Sequence, residues 1–102
     1  MSHDLLIEVL TCTVEVTHLG LTIYKNSAGQ FHRTDGPAIL YPSGTKEWYQ
    51  NGLRHRLNGP AVVLPNGREF WYIKGQKYTR KQYANKISTL FSDQQPAPSI
   101  MK

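Results

Sequence analysis

Cysteine occurs once in these 102 residues, at Cys12. One thiol cannot form an internal disulfide, and its place in an alternating apolar segment predicts a small buried hydrophobe rather than a reactive group. Long apolar runs are also lacking. LLIEVL (5–10) and PAILYP (37–42) fall far short of the roughly 20 apolar residues that cross a bilayer, so no membrane anchor is expected. The first ten residues carry only the acidic Asp4 and Glu8, without a basic n-region or a small-residue cleavage site. A secretory leader is therefore not expected, and the expected location is the cytoplasm, the host's if the protein is viral. The chain is short enough that one domain is expected, burying about 60–70% of its unfolded surface, which argues against a large enclosed active site.

Basic residues are missing from the first 24 positions, which hold three of the seven acids for a net −3. All 12 Lys and Arg follow, and with the other four acids they give the remainder a net +8. Such a field attracts an acidic protein, nucleic acid or an anionic surface without choosing among them.

What the sequence does have is a repeat. HRTDGPA (32–38) and HRLNGPA (55–61) lie 23 residues apart. The same offset pairs Pro42 with Pro65, Gly44 with Gly67, Trp48 with Trp71, Tyr49 with Tyr72 and Gly52 with Gly75. A fixed period in the twenties marks an architecture in which each unit buries its face against its neighbours. The end copies are degenerate: Tyr24 stands for the Trp with one extra residue before His32, and Tyr78 stands for the His.

The turn residues say what a unit is. Gln50-Asn51-Gly52-Leu53 carries the Asn-Gly pair that accepts positive φ at both central positions of a type I′ hairpin turn. Pro42-Ser43-Gly44 and Pro65-Asn66-Gly67 suit a type I turn followed by a left-handed glycine. TKEWYQ and REFWYIK between them read as strands. LRHRLNGPAVVLP reads as a longer strand interrupted by a kink at Asn58-Gly59-Pro60. The predicted fold is mainly β, an antiparallel meander of 23-residue hairpin repeats with a C-terminal α-helix, in a single domain over 1–92.

Before the repeat, residues 1–23 are expected to add strands, with alternation clearest over Cys12, Val14, Val16 and His18; a short opening helix within 3–11 is the rival. After it, Thr79 can cap a helix over Arg80 to Phe91 with Tyr83, Ile87, Leu90 and Phe91 in one apolar stripe that covers part of a sheet face. Residues 93–102 read as a flexible tail.

The spacing WYQNGLRHRLNGPAVVLPNGREFW (48–71) resembles the MORN class of hairpin repeat over about residues 24–78. It is more similar still to a variant with HRxDGPA in the second strand, associated with small proteins of bacteriophages and large DNA viruses. The resemblance implies a non-enzymatic scaffold or binding module, with lipid-head-group and protein binding both proposed for the class. Arg33 and Arg56 stand where MORN repeats usually have Gly, which weakens the lipid analogy.

Chemistry is less well supported than binding. No Cys-x-x-Cys or His-x-x-x-His spacing brings together His3, His18, His32 and His55. Equivalent residues of successive two-strand units should sit roughly 9–10 Å apart, whereas zinc ligands each lie about 2 Å from the ion. Neither a metal nor a cofactor is expected. Glu47 and Glu69 read as corresponding, solvent-facing positions with a similar separation, too far apart for paired acid–base work. No nucleophile elbow is present. The bland reading of His32, Arg33, Asp35, Gly36 and Pro37, and of His55, Arg56, Asn58, Gly59 and Pro60, is structural: the Asx side chain bonds backbone N–H groups at the kink, and Arg bonds carbonyls left unpaired by Pro.

Trp48, Tyr49, Arg54, Arg56, Trp71 and Tyr72 are the candidate partner contacts, because aromatic residues and Arg dominate binding hot spots and an open sheet has a face that one helix cannot cover. Arg54 and Arg56 are expected on one strand face, with His55 opposite. The expected role is that of a small binding protein, such as a viral accessory factor that modulates or inhibits a host or viral protein with an acidic surface. Nucleic-acid binding and self-assembly through sheet edges are the rivals.

Overall fold

The computed structural model describes residues 12–92. The rival readings of 3–11 and the tail at 93–102 lie outside those residues.

The meander is present. Strands β1 (Thr13–Val16), β2 (Thr22–Lys25), β3 (Ile39–Leu40), β4 (Lys46–Glu47), β5 (Tyr49–Gln50), β6 (Leu53–Arg54), β7 (Val62–Val63), β8 (Glu69–Ile73) and β9 (Gln76–Tyr78) precede one helix, α1 (Arg80–Ser92). Seven strands form an antiparallel sheet in the order β1-β2-β3-β4-β7-β8-β9, and β5 pairs with β6 in a small sheet beside it. The sheet is open, not closed into a barrel.

Turn chemistry explains the strand breaks. Asn51 and Gly52 sit at φ 50° and 84°, the left-handed pair a type I′ turn requires. The next unit repeats this with Lys74 and Gly75 at 49° and 83°, a turn that a lysine does not announce. At the opposite edge of each unit the backbone bonds recur closely. Tyr41 N–H donates to Thr45 O and Gly44 N–H to Tyr41 O, as Leu64 N–H does to Arg68 O and Gly67 N–H to Leu64 O.

The 23-residue period governs hydrogen bonding across the units as well. Ala38 N–H donates to Glu47 O and Ala61 N–H to Phe70 O; Arg33 N–H donates to Tyr49 O and Arg56 N–H to Tyr72 O, both at 3.2 Å. This register corrects one sequence expectation. Glu47 is level with Phe70, through Val62, while Glu69 is level with Lys46, through Val63. Glu47 and Glu69 are not equivalents.

The core is thin, as a single sheet with one helix dictates. Ala38, Ile39, Ala61, Val62, Ile73 and Tyr83 are its buried nonpolar side chains. Cys12 is exposed, against the expectation of burial, because nothing among the described residues covers β1; Val14 and Val16 are exposed with it.

The helix matches its expected span. Thr79 Oγ1 accepts from Gln82 N–H at 3.1 Å while Gln82 Oε1 accepts from Thr79 N–H at 2.9 Å, a reciprocal capping box. Only the first half of its apolar stripe is covered: Tyr83 is buried and Ile87 half-buried, but Leu90 and Phe91 face solvent.

Candidate functional site

Each kink is organised by its arginine. Arg33 lies over the Tyr24 ring, 3.9 Å from its centre, and Arg56 over Trp48 at 3.8 Å. The guanidinium is also clamped in its own plane: Arg56 donates through Nε to Asn58 Oδ1 and through Nη1 to Pro60 O, and Arg33 does the same to Asp35 Oδ1 and Pro37 O. The expected arginine-to-carbonyl bond is therefore present. The Asx side chain differs from expectation, accepting from the arginine Nε rather than from backbone N–H groups, because the planar fork reaches both acceptors at once.

The glycine in HRxxG follows from this packing. A Cβ on Gly59 would meet Arg56 Cζ at 2.8 Å, and one on Gly36 would meet Arg33 Cζ at 3.0 Å. Arginine and glycine are thus one device. Arg56→Ala removes the ring contact and two charged hydrogen bonds, and is expected to cost about 2–4 kcal/mol in a urea titration. Gly59→Ala should cost about 1–3 kcal/mol by displacing the same guanidinium. A Gly59→Ala protein as stable as the parent would show that the clamp is absent in solution.

The third ring of the series is treated differently. Trp71 receives Tyr83 of α1, with ring centres 4.7 Å apart, and Arg80 only at 5.9 Å. The Tyr83 hydroxyl donates to Arg56 O at 2.6 Å and accepts from Gly59 N–H at 3.2 Å, so the helix is tied to the second kink.

The histidines tie each kink to the next hairpin turn. His32 Nδ1 accepts the N–H of Asn51 at 3.0 Å, and His55 Nδ1 accepts that of Lys74 at 2.9 Å. These are the positive-φ residues of the two turns. Burial first, and then the Lys74 charge, push the His55 pKa below its ordinary 6.5. A depressed histidine contributes stability that is fully present above the unfolded value near 6.5 and lost as pH falls through the folded value. Urea unfolding from pH 8 to 5 should show this loss, and His55→Asn, an acceptor that does not titrate, should reduce it. An unchanged pH profile in that variant would rule the bond out as the cause.

On the other side of the strand lies a cluster around Glu47. This carboxylate is 8% exposed, not solvent-facing as expected. It accepts from Tyr49 OH at 2.8 Å and Tyr41 OH at 3.0 Å, and pairs with Arg54 Nη2 at 3.3 Å. Arg54 lies between two rings, 5.8 Å from the centre of Tyr49 and 5.3 Å from that of Tyr72.

The six candidate contacts therefore fall into three places. Tyr49, Arg54 and Tyr72 form a ladder on the Glu47 side. Trp48 and Arg56 line a groove between the two kinks, together with Arg33, Gln50 and His55, with a volume of about 590 Å³. Trp71 lies against Tyr83. Arg54 and Arg56 do not share a face: their partners Tyr49 and Trp48 are consecutive residues of one chain segment and project to opposite sides. Sequence reasoning missed Glu47, Tyr41 and Tyr83 as organising residues. For Tyr83 a signal existed, since it belongs to the helix that begins where the third arginine would stand.

Fold and site together define an open array of β-hairpin repeats with clamped arginines and a helical cap. No protein-family model, curated protein or solved structure matches the chain. Among the described residues no three His, Cys, Asp or Glu side chains gather as a metal site would require, and no helix is long and apolar enough to cross a membrane.

Proposed function

We propose that this chain is a non-enzymatic binding protein that engages another protein through its repeat sheet, as the resemblance to MORN-type repeats suggests, and modulates that partner as a viral accessory factor would. The observation that supports the reading best is the Tyr49–Arg54–Tyr72 ladder. Arg54 keeps 38% of its side chain exposed while Glu47 fixes its position, so residue types typical of hot spots are presented with little ordering entropy left to lose. Exposed aromatics for stacking bases are fewer than the sequence promised, because Arg56 covers Trp48 and Tyr83 packs on Trp71. That favours a protein partner over nucleic acid. The test is affinity capture from lysate of the natural host with cross-link mapping, with and without nuclease. A partner that survives nuclease, cross-links beside the ladder and is lost with Tyr72→Ala supports the reading. Capture abolished by nuclease, or a salt-sensitive gel shift, overturns it in favour of nucleic acid.

Self-association has one observation of its own: β1 ends the described sheet with Val14 and Val16 exposed. Light scattering after size exclusion decides it, a strict monomer removing the idea.

A further inference from the structure

A second surface, distinct from the ladder, lies where α1 meets the last hairpin. A groove of about 510 Å³ runs there, its apolar floor and wall made by Leu57, Ile73, Tyr78, Leu90 and Phe91. Leu57, Leu90 and Phe91 are 38%, 36% and 44% exposed, so the uncovered half of the helical stripe and a leucine from the second kink face the same space. Among the described residues its polar rim holds Lys74, Lys86, His55 and Gln76, without a carboxylate. The surrounding chain is equally one-sided: from 70 to 92 it carries Lys74, Lys77, Arg80, Lys81 and Lys86 and no acid.

We infer that this groove docks an acidic amphipathic segment of a partner protein, its large apolar side chains on Leu57, Leu90 and Phe91 and its carboxylates on Lys74 and Lys86. The assignment of occupant rests on charge complementarity. A second copy meeting this groove with its own is a poor match, because the net positive charge around each would be brought together; a cationic segment would meet two lysines at the rim. An apolar occupant without acids would gain the floor but leave both ammonium groups partly desolvated and unpaired. An acidic amphipathic segment satisfies both.

The test uses the full chain and a fluorescent 15-residue amphipathic peptide with Leu and Phe on one face and Glu and Asp on the other. Two further peptides serve as comparisons: one with Lys in place of each acid, and one with Ser in place of each Leu and Phe. The acidic amphipathic peptide is expected to bind in roughly the micromolar range and both comparisons at least tenfold more weakly. Phe91→Ser and the double variant Lys74→Glu/Lys86→Glu should each weaken binding about tenfold or more, with melting curves confirming that these exposed replacements leave the fold intact. Tyr72→Ala should leave the affinity unchanged, so that failure of the ladder reading and failure of this one are separable. Equal binding of the Lys peptide, indifference to Phe91→Ser, or preference for anionic phospholipid vesicles over the peptide each overturns the assignment. A concentration-dependent dimer lost with Phe91→Ser overturns it in favour of a second copy.

Discussion

Glu47→Ala is expected to cost about 3–5 kcal/mol, a large part of the stability of a domain this size. The carboxylate is the shared acceptor for two tyrosine hydroxyls and the counter-ion of Arg54, and alanine leaves all three donors without it in a partly buried place. Glu47→Gln keeps the volume and one acceptor oxygen and should cost less, about 1–2 kcal/mol. Burial, followed by the hydrogen bond to Glu47 and its charge, pushes the Tyr49 hydroxyl up to about 12. A raised tyrosine contributes stability that is present below its unfolded value near 10 and is lost as pH rises through the folded value. Urea unfolding gives the first quantity, and the ultraviolet titration of tyrosinate gives the second, which should move back toward 10 in Glu47→Gln. A loss under 1 kcal/mol for Glu47→Ala would mean that the carboxylate is solvated in solution.

Tyr83→Ala is expected to cost a similar 3–5 kcal/mol and to do something Glu47→Ala does not, which is to release the helix. Tyr83 is 6% exposed and is the one buried side chain among the described residues of α1. A helix of 13 residues is marginal in water by itself, so without this anchor its capping box cannot hold it. Far-ultraviolet circular dichroism should lose helical signal at temperatures where the strands persist. Tyr83→Phe retains the ring on Trp71 and abandons Arg56 O and Gly59 N–H, for an expected loss of about 1–3 kcal/mol. If Tyr83→Ala left the helical signal intact, contacts other than this one would have to hold α1.

The hairpins and kinks were legible because glycine, proline and asparagine report backbone conformation directly. Asn51-Gly52 and Pro65-Asn66-Gly67 need no partner to declare their turns. Helix α1 was legible for the same local reason, through Thr79 and the spacing of its apolar residues. Glu47 was not, since its burial depends on Tyr41, Tyr49 and Arg54 arriving from other strands and turns. Nor was the left-handed Lys74, although the repeat pairs Gly75 with Gly52: a residue without left-handed preference is held there by the His55 bond. Exposure of Cys12 was misread because alternation sets the face of a residue and says nothing of whether anything covers that face. The partition of the candidate contacts was hidden by the kink itself, which changes the side on which Arg56 emerges relative to Arg54.

The substitution of Tyr83 for a third arginine gives the array a direction. At its C-terminal end the last unit is closed by a helix covalently continuous with it, hydrogen-bonded to the unit before. Toward its N-terminal end Tyr24 has the smaller ring, and nothing among the described residues covers β1. Because each unit is stabilised mainly by its neighbours, the weakest boundary sets where opening begins. Over residues 12–92 the array is therefore asymmetric, like a zipper clasped at one end: opening is expected to begin at β1, and the surface beside α1 to be the last part of the sheet to lose its shape.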